Sequence, residues 1–106
     1  MWQVNSQNLM MTEGDFGIQL PVTISGTQFA ENDAVKFVIK SEINGDPIIE
    51  KEFTSIQRNT VNLVLTEAES ALLPVGTYIY NLDWYSSGSF MCNIIRLAQL
   101  KVVEKA

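Results

Sequence analysis

The sequence predicts an all-β domain: an antiparallel sandwich of two sheets with one short helical turn at a corner. Three observations predict it. Apolar residues recur with a period of two, turn residues punctuate those runs, and only one brief segment carries helix-start signals. With 106 residues, 46% apolar and 18% charged, residues 1–106 are expected to form a single domain whose core needs no disulfide or metal.

The elements follow in chain order. Met1 to Thr12 reads as a first strand, with Glu13-Gly14-Asp15 as its turn. From Phe16 to Ile24 the positions Phe16, Ile18, Leu20, Val22 and Ile24 are apolar and the intervening ones are not, the pattern of a half-buried strand. Pro21 removes a ladder donor on the outer phase, which assigns that strand to an edge or a bulge. "ISGTQF" is a turn, and Val35, Phe37 and Ile39 then alternate with Lys36, Val38 and Lys40. Asn44-Gly45 in "INGDPI" predicts a tight hairpin, because both residues tolerate positive φ. The flanking "EIN" and "IIEKEF", running to residue 56, read as a charged edge ribbon.

After a turn in "IQRNTV", Val61, Leu63 and Leu65 alternate with Asn62, Val64 and Thr66. Thr66 and Glu69 have the spacing of a capping box, in which each side chain satisfies a backbone donor of the other residue. The helix they start is short, since Pro74 drives the residue before it out of helical geometry. Pro74 fixes φ and Gly76 permits a turn, so the chain reverses into a long central strand with Tyr78, Tyr80, Leu82 and Trp84 facing inward. Gly88 in "YSSGSF" predicts a hairpin, Phe90 to Ile95 pairs back, and Leu97 to Val103 closes the sheet after a bend near Arg96.

Composition narrows the chemistry. Twelve acidic against seven basic residues give a net charge of −5, which disfavours nucleic acid and anionic membranes as partners. No apolar stretch approaches a membrane span and the start lacks a secretory signal pattern, so the chain is expected to be soluble and not exported. Histidine is absent, which removes the usual general base, the Ser-His and Cys-His pairs and the commonest metal ligand. The six glycines lie in separate turns and form no phosphate-binding loop.

The remaining reactive types read as structural. Glu13 with Asp15, and Glu31 with Asp33, are spaced as turn residues and match no calcium loop. Ser86, Ser87 and Ser89 lack a base, and Lys36 with Lys40 form a solvated strand face. Cys92 falls in phase with Phe90 and Ile94, which predicts a buried, inert thiol. No catalytic residue, metal ligand or cofactor site is expected. Trp2, Ile79 and Tyr85 fall outside the inward phase or outside the clear strands, and make a candidate contact patch for protein.

In immunoglobulin-like sandwiches a tyrosine just after the E–F corner returns its hydroxyl to backbone a few residues upstream. Leu72-x-Pro74-x-Gly76-x-Tyr78 has that layout, so the predicted sandwich is immunoglobulin-like, with its helical turn at the E–F corner. The succession of "DFGIQLPVTISG" with Asp15, Gly17 and Leu20, then "AVKFVIK", "VNLVLTEAESALLPVGTYIYNLDW" and "LAQLKVVEK", resembles small bacteriophage tail proteins. In particular, it resembles the immunoglobulin-like N-terminal domain of siphophage baseplate upper proteins.

That resemblance covers Asp15 to Val103 and implies a non-enzymatic virion role, made in the bacterial host and docked onto other tail or baseplate proteins, with self-assembly as a further expectation. The sequence lacks the stalk helix and receptor-binding platform of a full baseplate protein, leaving a small tail protein of a phage or prophage and a trimmed domain both open. The rival expectation is an immunoglobulin-like module of a bacterial surface protein that binds carbohydrate or protein.

Overall fold

A computed structural model describes residues 3–5, 8–17, 20–24, 29–54, 56 and 59–104. The elements are β1 (Gln3–Asn5), β2 (Asn8–Thr12), β3 (Leu20–Thr23), β4 (Asp33–Lys40), β5 (Pro47–Phe53), β6 (Thr60–Leu63), α1 (Glu67–Ser70), β7 (Gly76–Ser86) and β8 (Ser89–Val103). One sheet has the order β1-β2-β8-β7-β4-β5, and β3 pairs with β6 in a second. The protein is therefore mostly β with one short helix.

Alternation places the core. Val35, Phe37 and Ile39 of β4 and Leu82 of β7 are fully buried, and Tyr78, Tyr80, Leu100 and Val102 join them. From the second sheet and its flanks come Ile24, Val61, Leu63, Leu65 and Leu73, all in the same buried cluster. Phe37 meets Tyr80 edge-on, with ring centroids 5.6 Å apart. Val38 departs from its predicted wet phase and is also buried. Pro21 stands on β3, whose only described partner is β6, so its missing N–H breaks no ladder on a second side.

Several expectations need correction. The first strand is two, β1 and β2, paired antiparallel with Asn5 opposite Asn8, because "NSQN" is itself turn-prone. β2 then runs parallel to β8, so the large sheet is mixed and not wholly antiparallel. No hairpin links these distant strands to impose a direction. Their register matches buried Leu9 with Leu100 and Met11 with Val102, and Asn8 Oδ1 accepts the Gln99 N–H at 3.0 Å. Phe16 is exposed in the loop before β3, not inward on it, while Ile18 lies outside the described residues.

The two predicted hairpins differ. Ser87 and Gly88 both have positive φ, 49° and 83°, as a two-residue turn with right-handed strand twist requires. Asn44 and Gly45 do not; β4 and β5 are joined by residues 41–46, with the Gly45 N–H donating to Glu42 O at 3.1 Å. The predicted turn in "ISGTQF" falls largely outside the described residues.

The bend near Arg96 is a bulge. Tyr80 pairs with Ala98 but Leu82 with Ile95, leaving an extra residue on β8, and Leu97 takes a φ of 52°. The Leu97 N–H donates to Asn81 Oδ1 at 2.6 Å, so the irregular residue keeps a partner. Two more register shifts follow towards the hairpin.

Candidate functional site

The corner before β7 is built as its residues dictate. Thr66 Oγ1 accepts the Glu69 N–H at 3.2 Å, and Glu69 Oε1 accepts the Thr66 N–H at 2.9 Å, closing the capping box over α1. Four residues past Pro74, the Tyr78 hydroxyl donates to the Pro74 carbonyl at 2.6 Å. Burial raises the pKa of that hydroxyl, which keeps it a donor. Replacing Tyr78 with phenylalanine is expected to cost about 0.5–1.5 kcal/mol of stability, the net value of one hydrogen bond. An unchanged urea midpoint would show that this bond does not hold the corner.

The other corner residues play smaller parts. Gly76 is the first residue of β7 and has no positive φ; an added Cβ would meet the Tyr78 ring and the Pro74 carbonyl at 3.9 Å, an ordinary contact. Leu72 is exposed, and the buried residue of the pair is Leu73.

Sequence reasoning missed a link from this corner to the sheet edge. Lys51 on β5 pairs with Phe37 in the core-facing phase. Its ammonium donates to the Val64 carbonyl and, at 2.9 Å, to Glu69 Oε1. An inward lysine on an edge strand discourages pairing with a further strand. The signal was visible, since Lys51 interrupts the apolar phase of Ile49 and Phe53.

Trp2 lies outside the described residues, and the structure does not join Ile79 to Tyr85. Both are on the outer phase of β7, six positions or about 20 Å apart, with Asn81 and Asp83 between. Tyr85 belongs to a different group at the β7–β8 hairpin. Phe90 meets its ring edge-on at 5.6 Å, and Lys36 Nζ stands 4.4 Å from its centroid and 3.7 Å from Glu50 Oε1. Tyr85 and Lys36 border a depression of about 550 Å³ that also involves Asn32, Glu52, Thr54 and Ser87.

Cys92 is exposed, contrary to the expectation of a buried thiol. Its phase is the inward one, since Cys92 pairs with Trp84; the register shift between Trp84 and Tyr85 instead turns Phe90 to the outer side, opposite Tyr85. The larger sheet also overhangs the smaller. β7 spans about 36 Å against about 13 Å for β3 or β6, so the inward side near the hairpin is left uncovered and Cys92 stands in solvent there. Trp84, half-buried, packs edge-on against Phe29 at 5.4 Å.

Asp33 at the hairpin end is buried, not solvated. Its Oδ2 accepts the Ala30 N–H at 2.8 Å; that bond, and then the Ser86 hydroxyl, hold its carboxyl below the usual range. The Trp84 indole lies beside the same carboxylate without reaching hydrogen-bond geometry. Burial pushes the Tyr80 hydroxyl up to about 12. The perturbed groups are thus engaged in holding turns and core. Among the described residues no three His, Cys, Asp or Glu side chains are placed to hold a metal, and no helix is long and apolar enough to cross a membrane.

No family model matches the chain, and no curated protein or solved structure matches it at significance.

Proposed function

We propose that the chain is an immunoglobulin-like, non-enzymatic structural component of a phage or prophage tail, acting through contacts with other tail or baseplate proteins. Supporting the fold, β8, β7, β4 and β5 follow the order of G, F, C and C′, β3 with β6 that of B and E, and the Tyr78 hydroxyl reaches back to Pro74 as a tyrosine-corner hydroxyl does. The tail assignment rests on the resemblance of "LTEAESALLPVGTYIY" and its neighbours to baseplate domains.

The observation that carries a docking role is the distribution of exposed large apolar side chains. Phe90 and Met91 lie beside the β7–β8 hairpin, and Phe16, Ile43, Leu72 and Val75 occupy connections elsewhere. Such side chains gain most from burial against protein.

Gold-labelled antibody against the chain should decorate one position on the tails of particles released by the producing strain. Bare tails with labelled cell walls would overturn the reading. They would favour instead a surface module binding carbohydrate or protein, for which Tyr85 and the polar rim of its depression offer a stacking platform.

A further inference from the structure

We infer that residues 13–17, 41–46, 64–75 and Glu104 form one docking surface, and that it takes a basic, amphipathic segment of a partner protein. The inference rests on the docking role proposed above and names the surface and the chemistry of its partner.

Strand directions bring these stretches together. β2 and β8 are parallel, β7 opposes β8, and β4 opposes β7, so β2, β4 and β8 all finish at the end where β7 begins. Residues 13–17 leave β2, 41–46 leave β4, Glu104 follows β8 and 64–75 lead into β7. The Gly17 N–H donates to Leu65 O at 2.9 Å, joining two of the connections directly.

Two properties coincide at this end. Phe16, Ile43, Leu72 and Val75 are between 45% and 60% exposed, and each internal connection supplies at least one of them. The same stretches contain Glu13, Asp15, Glu42, Asp46, Glu67 and Glu69 and no lysine or arginine; with Glu104 they hold seven of the twelve acidic residues. Lys51 offsets Glu69 alone, and the adjoining strands bring Lys40 and Lys101.

That combination selects the partner. Burying the apolar side chains desolvates neighbouring carboxylates unless the incoming surface carries cations among its own apolar groups. Neither end of a second copy supplies such a surface: the same end repeats the acids, and at the hairpin end Glu31, Asp33 and Glu52 outnumber Lys36. Nucleic acid and anionic lipid are repelled.

A short helical peptide of leucine and lysine, and its counterpart with glutamate for every lysine, serve as probes. By calorimetry the lysine peptide should bind one-to-one, with amide NMR shifts confined to the four stretches. Leu72→Ser with Val75→Ser should weaken it roughly tenfold or more, as should raising salt from ~50 to ~500 mM. Both positions are exposed, so the double variant should melt with the parent.

Equal binding of the glutamate peptide, shifts mapping elsewhere, or no binding of either peptide would overturn the inference. A chain dimer dissociated by the same double variant would overturn it too, in favour of a second copy. The antibody experiment is independent: decorated tails with an inert peptide leave the tail role standing, and peptide binding with bare tails leaves only the surface.

Discussion

Replacing Phe37 with alanine is expected to destabilise the protein by about 3–5 kcal/mol, the usual cost of emptying a large aromatic site in a closed core. Phe37 is fully buried at the middle of β4, with Leu82 opposite on β7, Lys51 opposite on β5 and the Tyr80 ring edge-on. Strands on both sides hold the backbone of β4, so the site cannot collapse to refill the space. Phe37→Leu keeps most of the volume and should cost roughly half as much or less. Urea denaturation followed by tryptophan fluorescence measures both. A loss below about 1 kcal/mol for the alanine variant would mean that the two sheets do not close over this ring.

Removing the Glu69 carboxylate is the second large change. Glu69→Ala opens the capping box and takes the carboxylate from Lys51, leaving that ammonium the Val64 carbonyl. The cap is worth about 1 kcal/mol and a partly exposed ion pair a few tenths more, so a loss of roughly 1–2 kcal/mol is expected.

The change should also alter the acid limb of the stability curve. Burial alone would raise the Glu69 pKa, but the Thr66 N–H and then Lys51 outweigh it and hold the carboxyl below its ordinary range. A depressed carboxyl contributes stability above the unfolded glutamate pKa of about 4 and loses it as pH falls through the folded value. The parent should therefore lose more stability than the variant on acidification through that window. Parallel curves would show that the pair contributes nothing. Asp33 has the same sign, so part of the acid sensitivity should survive in the Glu69 variant.

Local pattern accounts for much of the fold and little of the candidate surfaces. Alternation identified Val35, Phe37 and Ile39, Val61, Leu63 and Leu65, and Tyr78, Tyr80 and Leu82 as inward, because a regular strand repeats every two residues whatever it packs against. Thr66 with Glu69, and Ser87 with Gly88, were equally legible, since a cap and a tight turn close within four residues of chain. The burial expected for Cys92 failed because nothing covers the inward side at that end of the sheet, and its expected phase with Phe90 failed because a bulge has no period to read.

The order of residues suffices for an all-β chain, its inward residues and its capped helical turn, and it contains no histidine for base chemistry. Long-range packing is what sets β2 parallel to β8, brings Lys51 to Glu69, and groups Tyr85 with Lys36 and Phe90 rather than Ile79. It also decided that separate acidic connections share one end of the molecule. The division has a physical cause. Dihedral preference and side-chain periodicity act between near neighbours, whereas strand direction, overhang and the meeting of loops depend on packing between segments tens of residues apart, which local pattern leaves free.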